Sequence, residues 1–207
     1  MTRKPPIKPR KQASQRRSRA MVDALIEATA RVLVREGFDG ASTNRIAEVA
    51  GVSVGSLYQY YPGKEALVAA VIERHNQKTM NLARSALAEI ALLPVEQAVR
   101  RLVAVAIEAH RIDPRLHRVL AEQIPRAGRF EDLEESSRQI HALFKAYLES
   151  RHDQLRVVDL DLATFVCVTT IEALAHTAVL HHPKMPSDDV VRALVDETTR
   201  LVVGYLQ

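Results

Sequence analysis

The stretch Thr43–Tyr61, TNRIAEVAGVSVGSLYQYY, decides the fold. Its small and apolar residues are spaced for two short helices that cross through a tight turn. Ile46, Ala47 and Ala50 fall on one face of the first helix, and Leu57 with Tyr60 or Tyr61 supplies the facing side of the second. Gly51 lies between them, where a residue without a Cβ can take the left-handed conformation that ends a helix and reverses the chain. Ala47 is small enough to let the two backbones approach, Val52 is placed to plug the crevice beneath the turn, and Ser53 to cap the second helix. Ordinary helical hairpins share this apolar spacing, so the outer face of the second helix has to discriminate between the readings.

That outer face is short and polar. Val54, Gly55, Ser56, Tyr58, Gln59 and Tyr60 are expected to point outward. A helix that begins with small residues can enter the major groove of DNA, leaving Ser56, Tyr58 and Gln59 room to reach base edges or thymine methyls. Gln59 is the expected specific reader, because a glutamine amide pairs bidentately with adenine, worth about 1–3 kcal/mol of discrimination. A plain solvated surface is the competing reading for Gln59 and Asn44.

Ser42–Leu67, STNRIAEVAGVSVGSLYQYYPGKEAL, resembles the N-terminal domain of the TetR family of transcriptional regulators. The likeness is carried by Thr-x-x-x-Ile-Ala, Ala-Gly-Val-Ser, Leu-Tyr-x-Tyr and Lys-Glu-x-Leu, and covers roughly residues 20–67. It implies an all-α homodimer with a three-helix helix-turn-helix head and a larger ligand-binding, dimerising body. It further implies phosphate contacts from Thr43, Tyr58, Tyr60 and Lys64, and base contacts from Asn44, Val54, Gly55, Ser56 and Gln59. The chain departs from the family at Tyr61, where phenylalanine is usual, so an added hydroxyl must be accommodated under the second helix.

Composition agrees with a helical reading. A chain of 207 residues, 47% hydrophobic, can bury a sizeable core as one or two domains, and only seven glycines interrupt it. The one cysteine, Cys167, supports neither a disulfide framework nor a cysteine-based zinc site, which fits a reducing cytoplasm. No apolar run approaches membrane-spanning length and no secretory signal follows the basic N-terminus, so a soluble, unexported protein is expected. The formal charge of +4 is unevenly distributed: residues 1–65 carry twelve Lys/Arg against six Asp/Glu, whereas the rest carry seventeen against nineteen. Eight basic residues and no acid lie between Arg3 and Arg19. With Pro5, Pro6 and Pro9, residues 1–17 read as a disordered basic arm able to neutralise phosphates or enter a minor groove, or else as a solubilising tail.

Nine or so helices follow from a pass along the chain. The first runs from about Ser18 to Glu36, closed by Gly37; Thr43–Ala50 and Val54–Tyr60 form the reading pair. A long helix from Lys64 to about Ile90 joins a head (18–65) to a body (66–207), and its movement offers a route for a signal. Further helices are expected from Pro94 to about Arg111, from Pro114 to near Pro125, and from Phe130 to about His152. The last two, near 161–181 and 187–206, are the expected dimerisation helices. The first is apolar nearly all round and must be buried on two sides; the second is capped by Ser187 and carries Val191, Leu194, Val195, Thr198, Leu201, Val202 and Tyr205 in a stripe. Two-fold related heads would read a pseudo-palindromic operator.

The body offers His110, His117, Phe144, Tyr147, Phe165, Glu172 and His176 as candidate residues for binding a small-molecule effector. Glu172 and His176 share a helix face, but two ligands without a third do not make a metal site, and neither a metal nor a cofactor is expected. The expected function is that of a DNA-binding regulator, a repressor released by its effector; an effector-free regulator and an activator are the alternatives. A helical enzyme or a protein-interaction module with a repurposed head would be the readings from other classes. No His-Glu-x-x-His, Walker, Gly-x-Gly-x-x-Gly or Gly-x-Ser-x-Gly motif supports an enzyme.

Overall fold

The computed structural model describes residues 16–122, 130–181 and 187–207, with side chains described from 18 and, in the second stretch, between 138 and 180. Among them are nine α-helices and one short 3-10 turn: α1 Arg16–Gly40, α2 Thr43–Ala50, α3 Val54–Tyr60, α4 Lys64–Ile90, α5 Val95–Arg111, α6 Pro114–Glu122, α7 Phe130–Glu149, α8 Leu160–His181 and α9 Asp188–Leu206, with the 3-10 turn at His152–Gln154. The fold is all-α, as expected. The basic stretch before Arg16, the end of α6 toward Pro125 and the segment after His181 lie outside the described residues.

Local chemistry accounts for the helix ends. α1 is broken at Gly37, whose φ of 72° and ψ of 179° no helix accommodates. Ser42 and Ser53 cap α2 and α3, their side chains accepting from the backbone N–H of Arg45 and Ser56. Ser187 caps α9 by accepting from Val190 N–H, with Asp188 and Asp189 in the positive first turn. Pro94 precedes α5, where a missing N–H costs nothing.

The chain divides into two compact units, the first containing described residues 16–76 and 115–122 and the second 77–114, 130–181 and 187–207. In the first, Leu25 and Leu33 of α1, Ile46 of α2, Leu57 of α3 and Leu67 of α4 are fully buried in one core. Leu116 and Leu120 of α6 join that core, a contribution nothing local in the sequence signals. Truncating a fully buried leucine such as Leu57 to alanine costs about 2–5 kcal/mol, so α2 and α3 are held as one body.

In the second unit α5 packs against both α8 and α9, and α7 against α8. Ile90, Val99, Phe144, Leu148 and Leu206 are buried at its centre. α8 corrects one expectation. No apolar run of membrane-spanning length is expected from the sequence, yet Leu160–Leu180 has a mean hydropathy of 1.5 and is long and apolar enough, by length and composition, to cross a membrane. Burial explains that composition on one side, where Ala163, Cys167, Ile171, Ala175 and Val179 face the core. The same burial pushes the Cys167 thiol up to about 12.

Candidate nucleic-acid interface and ligand cavity

The turn between α2 and α3 is built as its sequence requires. Gly51 adopts φ 69°, ψ 32°, and its N–H donates to the Glu48 carbonyl at 3.1 Å while Val52 N–H donates to the Ala47 carbonyl at 3.0 Å. A Cβ at Gly51 would meet nothing within 4 Å, so the backbone conformation and not crowding is what calls for glycine. Ala47 is buried at the crossing and Val52 packs against the core beneath it. Ser53 Oγ accepts from Ser56 N–H at 3.0 Å and lies 2.8 Å from Ser56 Oγ, which fixes the first turn of α3.

On this frame Asn44, Gly55 and Gln59 are exposed, Thr43 and Ser56 are half-buried, and Tyr58 is 41% exposed. The Tyr58 and Thr43 hydroxyls are 3.1 Å apart. Val54 is half-buried and packs against the core, so only part of it faces outward. Tyr60, read both on the inward face beside Leu57 and as an outward contact, takes the inward place: it is 9% exposed, its ring lies in the core, and its hydroxyl is 3.1 Å from Ser18 Oγ. Tyr60 follows Leu57 by three residues, on the same helix face, so once Leu57 is inward Tyr60 turns inward too. Lys64 is also engaged: its ammonium donates to the Phe38 carbonyl at 3.0 Å and sits 4.3 Å from the Phe38 ring centre.

Ion pairs hold the supporting helices. Arg45 of α2 bonds Glu36 of α1 at 2.7 Å and Glu48 at 2.9 Å, and Arg74 of α4 reaches Glu27 at 2.8 Å and Asp23 at 3.7 Å. Tyr61, the departure from the family pattern, is 2% exposed at the C-terminal end of α3. Burial raises its phenol to about 12, with the charges of Glu73 and Asp23 adding to the rise and Arg74 opposing it.

The second unit carries an open, mostly apolar cavity. Of the candidates read from the sequence, His110, Phe144 and Glu172 line it. Glu172 is an exposed residue, but the protein around its carboxyl partly desolvates it and lifts it above the usual carboxylate range, with His141 and His110 pulling it back. Tyr147, Phe165, His117 and His176 are not brought into its wall. Tyr147 is buried in the core and donates its hydroxyl to the Leu93 carbonyl at 3.0 Å. Phe165 is 58% exposed on α8. His117 belongs to the first unit, where its Nδ1 lies 3.3 Å from Nε2 of the buried His75. His176 packs edge-on against the His110 ring, centroids 5.6 Å apart. Most of the wall comes from residues outside those candidates, among them Met80, Leu87, Val105 and Ile171. Apolar residues facing a cavity read no differently from apolar residues facing a core.

Both terminal helices also leave apolar side chains outside the protomer. Leu162 and Phe165 of α8, and Val190 and Leu201 of α9, are exposed by 54, 58, 42 and 58%. On each helix the pair lies at a spacing that returns to one face, three residues on α8 and eleven on α9.

Comparison with known proteins gives the same assignment. Residues 25–71 match the model described as bacterial regulatory proteins, tetR family, and residues 94–206, more than half of the chain, match the tetracyclin repressor-like C-terminal domain. An uncharacterised HTH-type transcriptional regulator of Mycobacterium tuberculosis is 34% identical over 92 residues, 44% of either chain. The HTH-type transcriptional regulator PksA of Bacillus subtilis is 33% identical over 79 residues, 38% of either chain. The chain thus spans about half the length, or less, of these curated relatives. Among solved structures, the fatty acid degradation regulator FadR of Bacillus halodurans superposes with a TM-score of 0.68 at 22% identity, covering 90% of this chain and 96% of that one. At that identity the likeness is one of fold. With both of its characteristic regions matched in order, and with a capped helix-turn-helix in the first of them, the chain belongs to the TetR family of bacterial regulatory proteins.

Proposed function

We propose that this protein is a sequence-specific DNA-binding transcriptional regulator: a homodimeric repressor whose hold on a pseudo-palindromic operator weakens when a small molecule occupies the cavity of the second unit. The observation that carries this reading is the exposed tip of α3, where Gly55, Tyr58 and Gln59 stand clear of the core on a rigid capped turn. Gln59 and Asn44 read base edges, Ser56 and Gly55 allow close approach, and the Thr43 and Tyr58 hydroxyls contact phosphates. Tyr60 and Lys64, with partners inside the first unit, serve the interface by holding its frame.

Dimerisation through the exposed faces of α8 and α9 places two heads about 34–36 Å apart, in successive major grooves. An effector that favours another spacing lowers DNA affinity by its differential affinity for the two states. α4 runs unbroken through residues of both units and supplies the covalent link for that coupling. The protein works by binding, without turnover, in the cytoplasm where the DNA lies.

Selection of bound sequences from a random duplex pool with the purified full chain tests the reading. A two-fold symmetric consensus is expected, with binding lost progressively as salt rises. A pool that shows no enrichment would remove the proposal.

A further inference from the structure

Resting on the reading of the second unit's cavity as the effector site, we infer that its ligand is a lipophilic amine, an apolar body whose ammonium group faces Glu172. The walls set the apolar part. Met80, Leu87, Leu102, Phe144 and Ile171 line the cavity, and a hydrocarbon body would displace water from all of them.

The polar part follows from what the wall can donate. Apart from Thr79, whose hydroxyl can donate or accept, the polar side chains lining the cavity are His110 and Glu172. His110 Nδ1 lies 2.7 Å from the Ala106 carbonyl oxygen. A carbonyl has no hydrogen to give, so Nδ1 carries the proton. The Nδ1 proton is therefore committed to the Ala106 carbonyl and is not turned toward the ligand.

Glu172 supplies the charge. It is the one acidic residue of the wall, and no lysine or arginine lines the cavity among the described residues. The residue is exposed, yet partial desolvation of its carboxyl holds it above the usual range, opposed by His141 and His110. Among the described residues, a ligand carboxylate or phosphate would enter beside this group with no lysine or arginine of the wall to meet it, losing water on both sides. An ammonium reverses each of those costs: it pairs with the carboxylate of Glu172 and carries the chain that fills the apolar space.

The test compares three probes of one chain length, decylamine, 1-decanol and decanoate, each below its micelle concentration, against the purified full-length protein at pH 7.5. Calorimetry and thermal denaturation are expected to show decylamine binding tightest, with Glu172→Gln weakening it about tenfold and leaving 1-decanol unaffected. Ala83→Phe, which places a ring at a half-buried position of the wall, should abolish binding of all three. Decanoate binding as tightly as decylamine, or no binding of decylamine at all, would overturn the inference; the wild-type comparison decides this even if Glu172→Gln does not fold. Amine binding that is lost in Ala83→Phe but leaves the affinity for a selected operator unchanged would uphold the ligand class and refute the effector role instead.

Discussion

The hydroxyl of Thr43, the first residue of α2, lies 3.1 Å from the hydroxyl of Tyr58 on the exposed face of α3. This bond spans the two helices of the reading head on the outside of the turn, where the core does nothing to fix a side chain. With Tyr58 proposed as a phosphate contact, this bond would hold its ring in place before DNA arrives, so less side-chain entropy would be lost on binding. Tyr58→Phe should therefore lower operator affinity about three- to tenfold, equally for all sequences, while the melting temperature stays within a degree or two. Thr43→Val should cost a similar amount, and the double variant less than the sum. Fluorescence anisotropy on a labelled operator measures all three.

Gln59 differs from Tyr58 in what its loss should do. As an exposed amide on α3 it is proposed to read a base, and its removal should act on selectivity. Gln59→Ala is expected to cost about 1–3 kcal/mol on the selected operator and little on a variant operator altered at the contacted pair. A uniform loss across both duplexes would instead make Gln59 a backbone contact.

How much of this was legible in the sequence depended on the range of the forces involved. Gly51, Ser53 and Ser187 were readable because a left-handed φ and a capping hydroxyl are decided within three or four residues. Tyr60 was half legible, because periodicity let either Tyr60 or Tyr61 join Leu57 on the inward face while Tyr60 was also read as outward; the structure buries both. Leu116 and Leu120 joining the first core, and Met80 or Val105 facing a cavity, are outcomes of tertiary packing that no local pattern encodes. α8 was half legible. Its apolar girth called for burial on two sides, and the protomer covers one, leaving Leu162 and Phe165 outside.

Tyr61 gives the fold a pH dependence at the alkaline end. Its phenol titrates near 10 when unfolded and is raised to about 12 in the folded protein, chiefly by burial. The folded state thus holds the proton more tightly, so this contribution is fully present below pH 10 and is lost as pH rises toward 12. The wild type should lose on the order of 1–2 kcal/mol more than Tyr61→Phe across that interval, measured by urea denaturation at each pH. Equal losses in the two proteins would mean that the Tyr61 hydroxyl is solvated in the folded state.

Phe165 and Leu201 carry the dimer prediction. Each is 58% exposed in the protomer, so a glutamate at either position disturbs no core contact. In a four-helix interface built from α8 and α9 the same change buries a carboxylate against apolar side chains, a cost that the complex relieves by dissociating. Phe165→Glu combined with Leu201→Glu should weaken self-association at least about a hundredfold, giving a folded monomer in sedimentation at micromolar concentration. Operator affinity should fall with it, because a single head keeps only one half-site's contacts, whereas binding of decylamine to the cavity of the second unit should persist. A double variant that remains dimeric would move the interface away from these two faces, and would leave their exposed phenylalanine and leucine side chains to be explained by another partner.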